Sequence, residues 1–321
     1  MTAPTIDDIR DASARIAPHV IRTPVFTSRL LDSLAGTRLL LKCETFQRTG
    51  SFKARGACNA VFRLGADDAG RGVATHSSGN HAAALAYAAA RRGIPAHVVI
   101  PTTAPRVKLD AVRAYGAHVV PCEPTLADRE RTLRAVVDET GACVVHPYDD
   151  PDVIAGAGTA ALELLTDHPE TGLVITPVGG GGLLSGTAIA SRALDPAREV
   201  WGAEPETVDD AYRALASGRR QQNATAASIA DGLLTELSDR TFSILSCLAT
   251  GIVRVTDAEI VDAMGLLFTR TKLVVETSAA TALAGVLALA RTRALPDTVG
   301  IVLSGGNADP ARLPFDRGAA G

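Results

Sequence analysis

The sequence predicts an α/β protein built on open, mainly parallel sheets flanked by helices. Three observations carry this expectation. Short strand-like runs alternate with helix-like segments along most of the chain. Those runs, at residues 38–42, 96–101, 117–121, 142–146, 173–178, 200–203 and 299–303, are mostly apolar on both parities, as strands covered on two faces should be. The chain has 321 residues, 46% of them apolar and 21% charged, which is enough for two modest domains. No Gly/Pro-rich linker divides it, so the two domains are expected to be interleaved.

Local chemistry sets several element ends. Residues 80–92 are rich in alanine and stop at Gly93 with Pro95 beyond, which predicts a helix and its C-terminus. Thr256-Asp257-Ala258-Glu259 is a capping box ahead of an apolar-periodic segment. Residues 218–227 are polar and read as a surface loop. Aromatics are only 4% of the chain, and interiors made of alanine and small aliphatics suit helices packed closely on a sheet.

Charge and cysteine content exclude several classes. The net charge is −3, with 32 basic against 35 acidic residues. The pairs Arg91-Arg92 and Arg219-Arg220 read as solvated surface, so no nucleic-acid partner is expected. The five cysteines lack metal-ligand spacing and read as reduced thiols of a cytoplasmic protein. The N-terminus has neither a basic start nor an apolar signal core, and no apolar run approaches the roughly 20 residues of a membrane helix. No membrane partner is expected.

Four segments carry chemistry. The first is Ser51-Phe52-Lys53-Ala54-Arg55-Gly56. A lone lysine is usually a solvated surface group, but here polar and glycine residues precede it and an aromatic adjoins it. An apolar neighbour disfavours the ammonium form and so favours a nucleophilic amine. The second is Gly179-Gly180-Gly181-Gly182 between a strand-like and a helix-like run. Bare amides at a helix N-terminus cradle phosphate, although a tight, closely packed turn would use the same residues. The loop has neither the Lys-Ser/Thr of a P-loop nor a dinucleotide spacing, so its phosphate need not belong to a nucleotide. The third is Ser77-Ser78-Gly79-Asn80-His81, which opens a helix and reads either as serine N-capping or as a carboxylate site. The fourth is Ser304-Gly305-Gly306-Asn307 after the last strand, at the sheet edge where α/β proteins bind ligands.

Together and in this order, these segments resemble the fold-type II pyridoxal-5′-phosphate (PLP) enzymes, whose fold is of the tryptophan synthase β kind. The similarity is to the serine racemase and serine/threonine dehydratase branch. It extends from Arg22-Thr23-Pro24 through Lys42-Cys43-Glu44, Thr75-His76, Ala114-Tyr115-Gly116-Ala117 and Val153-Ile154-Ala155-Gly156 to Asn307. The resemblance implies a large domain of residues 1–65 and 150–321, with a small mobile domain of residues 66–149. It also implies PLP in the cleft between them, a homodimer and a small amino-acid substrate.

The roles implied are specific. Lys53 would hold the cofactor and move the Cα proton, and Phe52 would pack beside the ring. Asn80 would bond the ring hydroxyl, Gly179, Gly180, Gly181 and Gly182 the phosphate, and Ser304 the ring nitrogen, with Glu276 near the ring. Ser77, Ser78, Gly79 and His81 would hold the substrate carboxylate. Ser78 also stands where serine racemases keep a second acid/base, and racemisation needs two. Arg129 matches a small-domain arginine near the substrate carboxylate, and Tyr148 stands where a smaller amide is common. Glu204 and Asp210, with the Val208 carbonyl, match a Mg²⁺ or Ca²⁺ site; by themselves they read as an acidic surface loop. The activity expected is α,β-elimination from a β-hydroxy amino acid, with racemisation as the alternative. Ala82-Ala83 replaces a Gly-Gln of a nucleotide-activation site, which argues against activation by ATP. The short stretch after Asn307 argues against a C-terminal regulatory domain. A non-catalytic binder would not need Lys53, and the serine loop with His81 argues against β-replacement.

Overall fold

The structure is a computed structural model describing residues 2–77, 79–104, 106–225, 227–310 and 313–314. Ten strands form two sheets. They are β1 (Val25–Phe26), β2 (Arg38–Cys43), β3 (Val73–His76), β4 (Ala96–Pro101), β5 (His118–Cys122), β6 (Cys143–Val144), β7 (Leu173–Pro177), β8 (Glu199–Pro205), β9 (Gly251–Val255) and β10 (Thr298–Leu303).

The larger sheet has the order β1-β2-β10-β7-β8-β9 and is parallel except for β1, which runs antiparallel on β2. The smaller sheet, β5-β4-β3-β6, is wholly parallel. All four of its strands are inserted between β2 and β7 of the larger one. The two mainly parallel sheets with flanking helices are the α/β architecture that the alternating pattern predicts. β7 and β10 are buried at every position, which is why their sequences show no alternation.

Helix Asn80–Arg92 has the bounds its sequence predicts, with Gly93 left-handed at the C-cap. Its buried face includes Ala82, Ala84, Leu85, Ala86, Ala88 and Ala89, small enough for close packing on the smaller sheet and on helix Lys53–Arg63. The Thr256 capping box forms, with Glu259 closing it, and starts helix Asp257–Leu266. The described residues of 219–227 contain no helix or strand. The strand-like run at 142–146 pairs only over Cys143–Val144, because Val145 and His146 turn into the loop that approaches Lys53. Cys43, Cys58, Cys122, Cys143 and Cys247 are all free thiols. No described helix is long and apolar enough to cross a membrane.

Candidate active site

Lys53 begins helix Lys53–Arg63, and a strap of hydrogen bonds fixes that start to the end of β10. The Phe52 amide donates to the Ser304 carbonyl at 2.9 Å, the Gly306 amide donates to the Gly50 carbonyl at 2.9 Å, and Ser51 bridges to Gly305. The lysine is thus held beside Ser304, which is buried. Its Nζ donates to the Pro147 carbonyl at 2.8 Å and lies 5.0 Å from the centre of the Phe52 ring. Part of the side chain stays accessible, but the amine is enclosed. Burial, opposed only by the Glu276 carboxylate, lowers its pKa to about 8.

The glycine loop follows β7 and leads into helix Gly182–Leu194. Gly181 has φ +84° as the residue before the helix, a left-handed conformation that glycine adopts without strain. A Cβ on Gly180 would lie 2.4 Å from the Tyr148 ring, so the tyrosine rests directly on the loop. A Cβ on Gly179, Gly181 or Gly182 would likewise lie 2.9, 2.7 or 2.9 Å from Leu233, Leu237 or Tyr148, so close packing demands glycine at all four positions. What packing does not explain is the open amides. Among the described residues, the amides of Gly179, Gly180, Gly181, Gly182, Leu183 and Leu184 have no acceptor, and the first amide of this helix to find a carbonyl is that of Ser185. Six open donors at a helix N-terminus suit a phosphate group.

Asn80 faces the strap from the first residue of its helix. Its Nδ2 donates to Glu276 Oε1 at 2.8 Å and Oε2 at 3.1 Å. Ser77 Oγ accepts from the Gly79 amide at 3.3 Å; Ser78 lies outside the described residues. The His81 ring is buried. Its Nε2 meets the Val145 carbonyl at 3.0 Å, and burial, aided by the nearby Lys53, lowers its pKa to about 3. The ring is neutral at any ordinary pH, so only its backbone and its shape are available to a carboxylate. Arg129 is partly buried on helix Leu126–Thr140, and its Nε has no partner among the described residues.

Three residues at the site carry no separate motif. His146 Nδ1 accepts the amides of Asp149 at 2.8 Å and Tyr148 at 3.4 Å, which bends the chain so that the Pro147 carbonyl meets Lys53. Burial lowers the His146 pKa to about 4, so it remains an acceptor. His76 stands at the end of β3 with its ring 6.4 Å from that of His146. The run His-Pro-Tyr-Asp-Asp-Pro at 146–151 marks a turn between a short strand and a helix, but it does not include His76 and does not single out the ring of His146.

Asp210 acts on the Tyr148 hydroxyl, whose pKa is raised by burial and by Asp149 and Asp210. Glu204 is the last but one residue of β8 and accepts the amides of Tyr212 at 2.6 Å and Ala211 at 3.3 Å. Asp210 accepts from the Leu237 amide at 2.9 Å and Asn223 Nδ2 at 2.8 Å. Both are buried, as is Val208, and neither acid is ion-paired among the described residues. Burial raises both pKa values, and Asp210 adds to the effect on Glu204.

A mainly parallel α/β frame combines an enclosed lysine with a run of open amides, and the chain belongs to the pyridoxal-phosphate dependent enzyme family, whose pattern spans residues 16–305. It is 47% identical to the β-hydroxyaspartate dehydratase of Paracoccus denitrificans, over 98% of this chain and all of that one. The crystal structure of serine racemase from Dictyostelium discoideum matches with TM-score 0.93 at 45% identity, covering 96% of this chain and 100% of that one. That of the T.th. threonine deaminase matches with TM-score 0.90 at 48% identity, covering 95% and 99%.

Proposed function

We propose that this enzyme removes water and ammonia from a small β-hydroxy amino acid to give a 2-oxo acid, with racemisation as a second activity. The observation that carries the reading is the enclosed Lys53 amine with its lowered pKa. Relatives named for dehydration, deamination and racemisation support it. When bound, pyridoxal phosphate supplies an electron sink that makes the substrate Cα–H bond acidic.

The chain's own residues do the rest. Lys53 would hold the cofactor and, as a free amine, would take the substrate's Cα proton. The open amides of residues 179–184 would receive the phosphate. Phe52 would pack beside the ring, and Asn80, Glu276 and Ser304 would hold its polar groups. A serine cannot hold the ring nitrogen protonated as a carboxylate would, which favours reactions whose β-leaving group departs promptly. The 77–81 turn binds the substrate carboxylate, with Arg129 and Tyr148 bounding the substrate side. Ser78 supplies the second acid/base for racemisation. Residues 66–149 act as the mobile lobe that closes on substrate, and the working form is a cytoplasmic homodimer.

The test is a panel of L- and D-β-hydroxy amino acids, serine, threonine and 3-hydroxyaspartate included, with 2-oxo acid and the opposite enantiomer both quantified. Dominant 2-oxo acid supports elimination. Dominant enantiomer would make racemisation the main reaction, and neither product would overturn the proposal.

We also propose that Glu204, Asp210 and the Val208 carbonyl bind Mg²⁺ or Ca²⁺, since two buried carboxylates with no ion pair among the described residues suit a hard cation. Saturating Mg²⁺ should raise Tm by about 3–6 °C, and Asp210→Asn should remove the increment. An unchanged Tm with EDTA and with Mg²⁺ would remove the metal from this account.

A further inference from the structure

Asn307 lies just past β10, between Thr49 and Asn80. Its Nδ2 donates to the Thr49 carbonyl at 2.8 Å and to Asn80 Oδ1 at 2.9 Å. Asn80 passes the chain on through Nδ2 to the Glu276 carboxylate.

The polarity of this chain is forced. A main-chain carbonyl at one end and a carboxylate at the other can only accept. Each amide between them must therefore turn its NH₂ towards an end, and the central contact must run from Asn307 N–H to Asn80 oxygen. Asn80 consequently shows its hydrogens, never its oxygen, on the Glu276 side.

The anchoring end is built at some cost. Thr49 has φ +61°, an uncommon conformation for a β-branched residue, and it is held there by the strap that pairs residues 50–52 with 304–306. The neighbouring Gly50 has φ +73°, and a Cβ there would lie 2.3 Å from Asn307 Oδ1. Only glycine leaves Asn307 its place.

We propose that Asn307 is a positioning residue that fixes the amide orientation of Asn80 towards the cofactor's ring oxygen. This rests on the reading that Asn80 faces the cofactor. A flipped Asn80 would turn its carbonyl on an oxygen that needs a donor. Asn307 also ties the first turn of helix Asn80–Arg92 to the larger sheet's side of the cleft.

Two readouts on the holoenzyme test this: the rate of PLP release on dilution, and the pH midpoint of the visible absorption band. Asn307→Ala should speed release about three- to tenfold, the value of one or two hydrogen bonds. Asn307→Asp keeps the shape but sets an acceptor against the Asn80 oxygen, so it opposes the orientation that Asn307 supports. It should exceed the alanine variant in release rate and move the midpoint to higher pH. Asn80→Ala combined with Asn307→Ala should release PLP no faster than Asn80→Ala alone. A milder effect of aspartate than alanine, or additive effects in the double variant, would show that Asn307 only fills space and would overturn the proposal. Unchanged release and midpoint in Asn80→Ala would overturn the reading of Asn80 itself, and the proposal with it.

Discussion

Replacing Lys53 with alanine is expected to lower turnover by at least about 10⁴-fold, because one amine both attaches the cofactor and moves the Cα proton. The same variant should show no borohydride-trapped adduct on the peptide that carries residue 53, whereas the wild-type peptide should gain one phosphopyridoxyl mass. The fold should survive, since among the described residues the amine makes one hydrogen bond, to the Pro147 carbonyl. Normal turnover in this variant would sink the whole assignment. The pH dependence follows from the lowered pKa. With a value of about 8, roughly one amine in ten is free at pH 7, against about one in three thousand for an ordinary lysine. Capture of added PLP by the apoenzyme should therefore rise about tenfold per pH unit below 8 and level off above it. A rate still climbing at pH 10 would mean that burial does not tune this amine.

The parts of this site that sequence could reveal are those written in neighbouring residues. Helix Asn80–Arg92 and strand Ala96–Pro101 have the ends expected of them, because capping and burial there are decided within a few positions. β1, β3 and β9 were not anticipated. β1 has two residues, β9 is a half-exposed edge strand, and β3 spans only four residues before Ser77. Lys53 and the glycine loop stand out in the chain, but the Pro147 carbonyl that meets the lysine lies 94 positions away. His146 is invisible for a similar reason. Its task is to bend the turn that delivers that carbonyl, and no residue pattern distinguishes it from a surface histidine. The Lys42-Cys43-Glu44 and Lys53-Ala54-Arg55 stretches were each legible as matching segments; that their charged side chains meet was not.

That meeting sets the largest expected loss of stability. Arg55, two residues beyond Lys53, is fully buried and holds two carboxylates at once. Its Nε and Nη2 donate to Glu44 at 2.8 Å each, and its Nη1 and Nη2 donate to Glu163 at 2.7 and 2.9 Å. Lys42 Nζ donates at 2.6 Å to Glu163 Oε2, the oxygen that also accepts from Arg55 Nη2, and to the Thr23 carbonyl at 2.7 Å. Two cations and two anions thus balance in the interior where β2, helix Lys53–Arg63 and helix Pro151–Asp167 meet. Removing one member leaves a buried charge without its partner, so Arg55→Leu should cost about 3–5 kcal/mol in urea unfolding. Arg55→Lys should also lose stability, because an ammonium cannot serve two carboxylates bidentately. The pH trend identifies the cause. Burial alone would raise the Glu44 pKa, but Arg55 reverses that and holds it below its usual 4.5. In the wild type this carboxylate therefore adds stability above pH 4.5, and the contribution fades as pH falls through the lower folded value. Without Arg55, burial loses its main opponent, so the folded pKa should move up and the stabilisation from ionising Glu44 should shrink or reverse as pH rises. The deficit of Arg55→Leu should be larger at pH 8 than at pH 5. A deficit independent of pH would assign the loss to packing around the side chain instead of to charge.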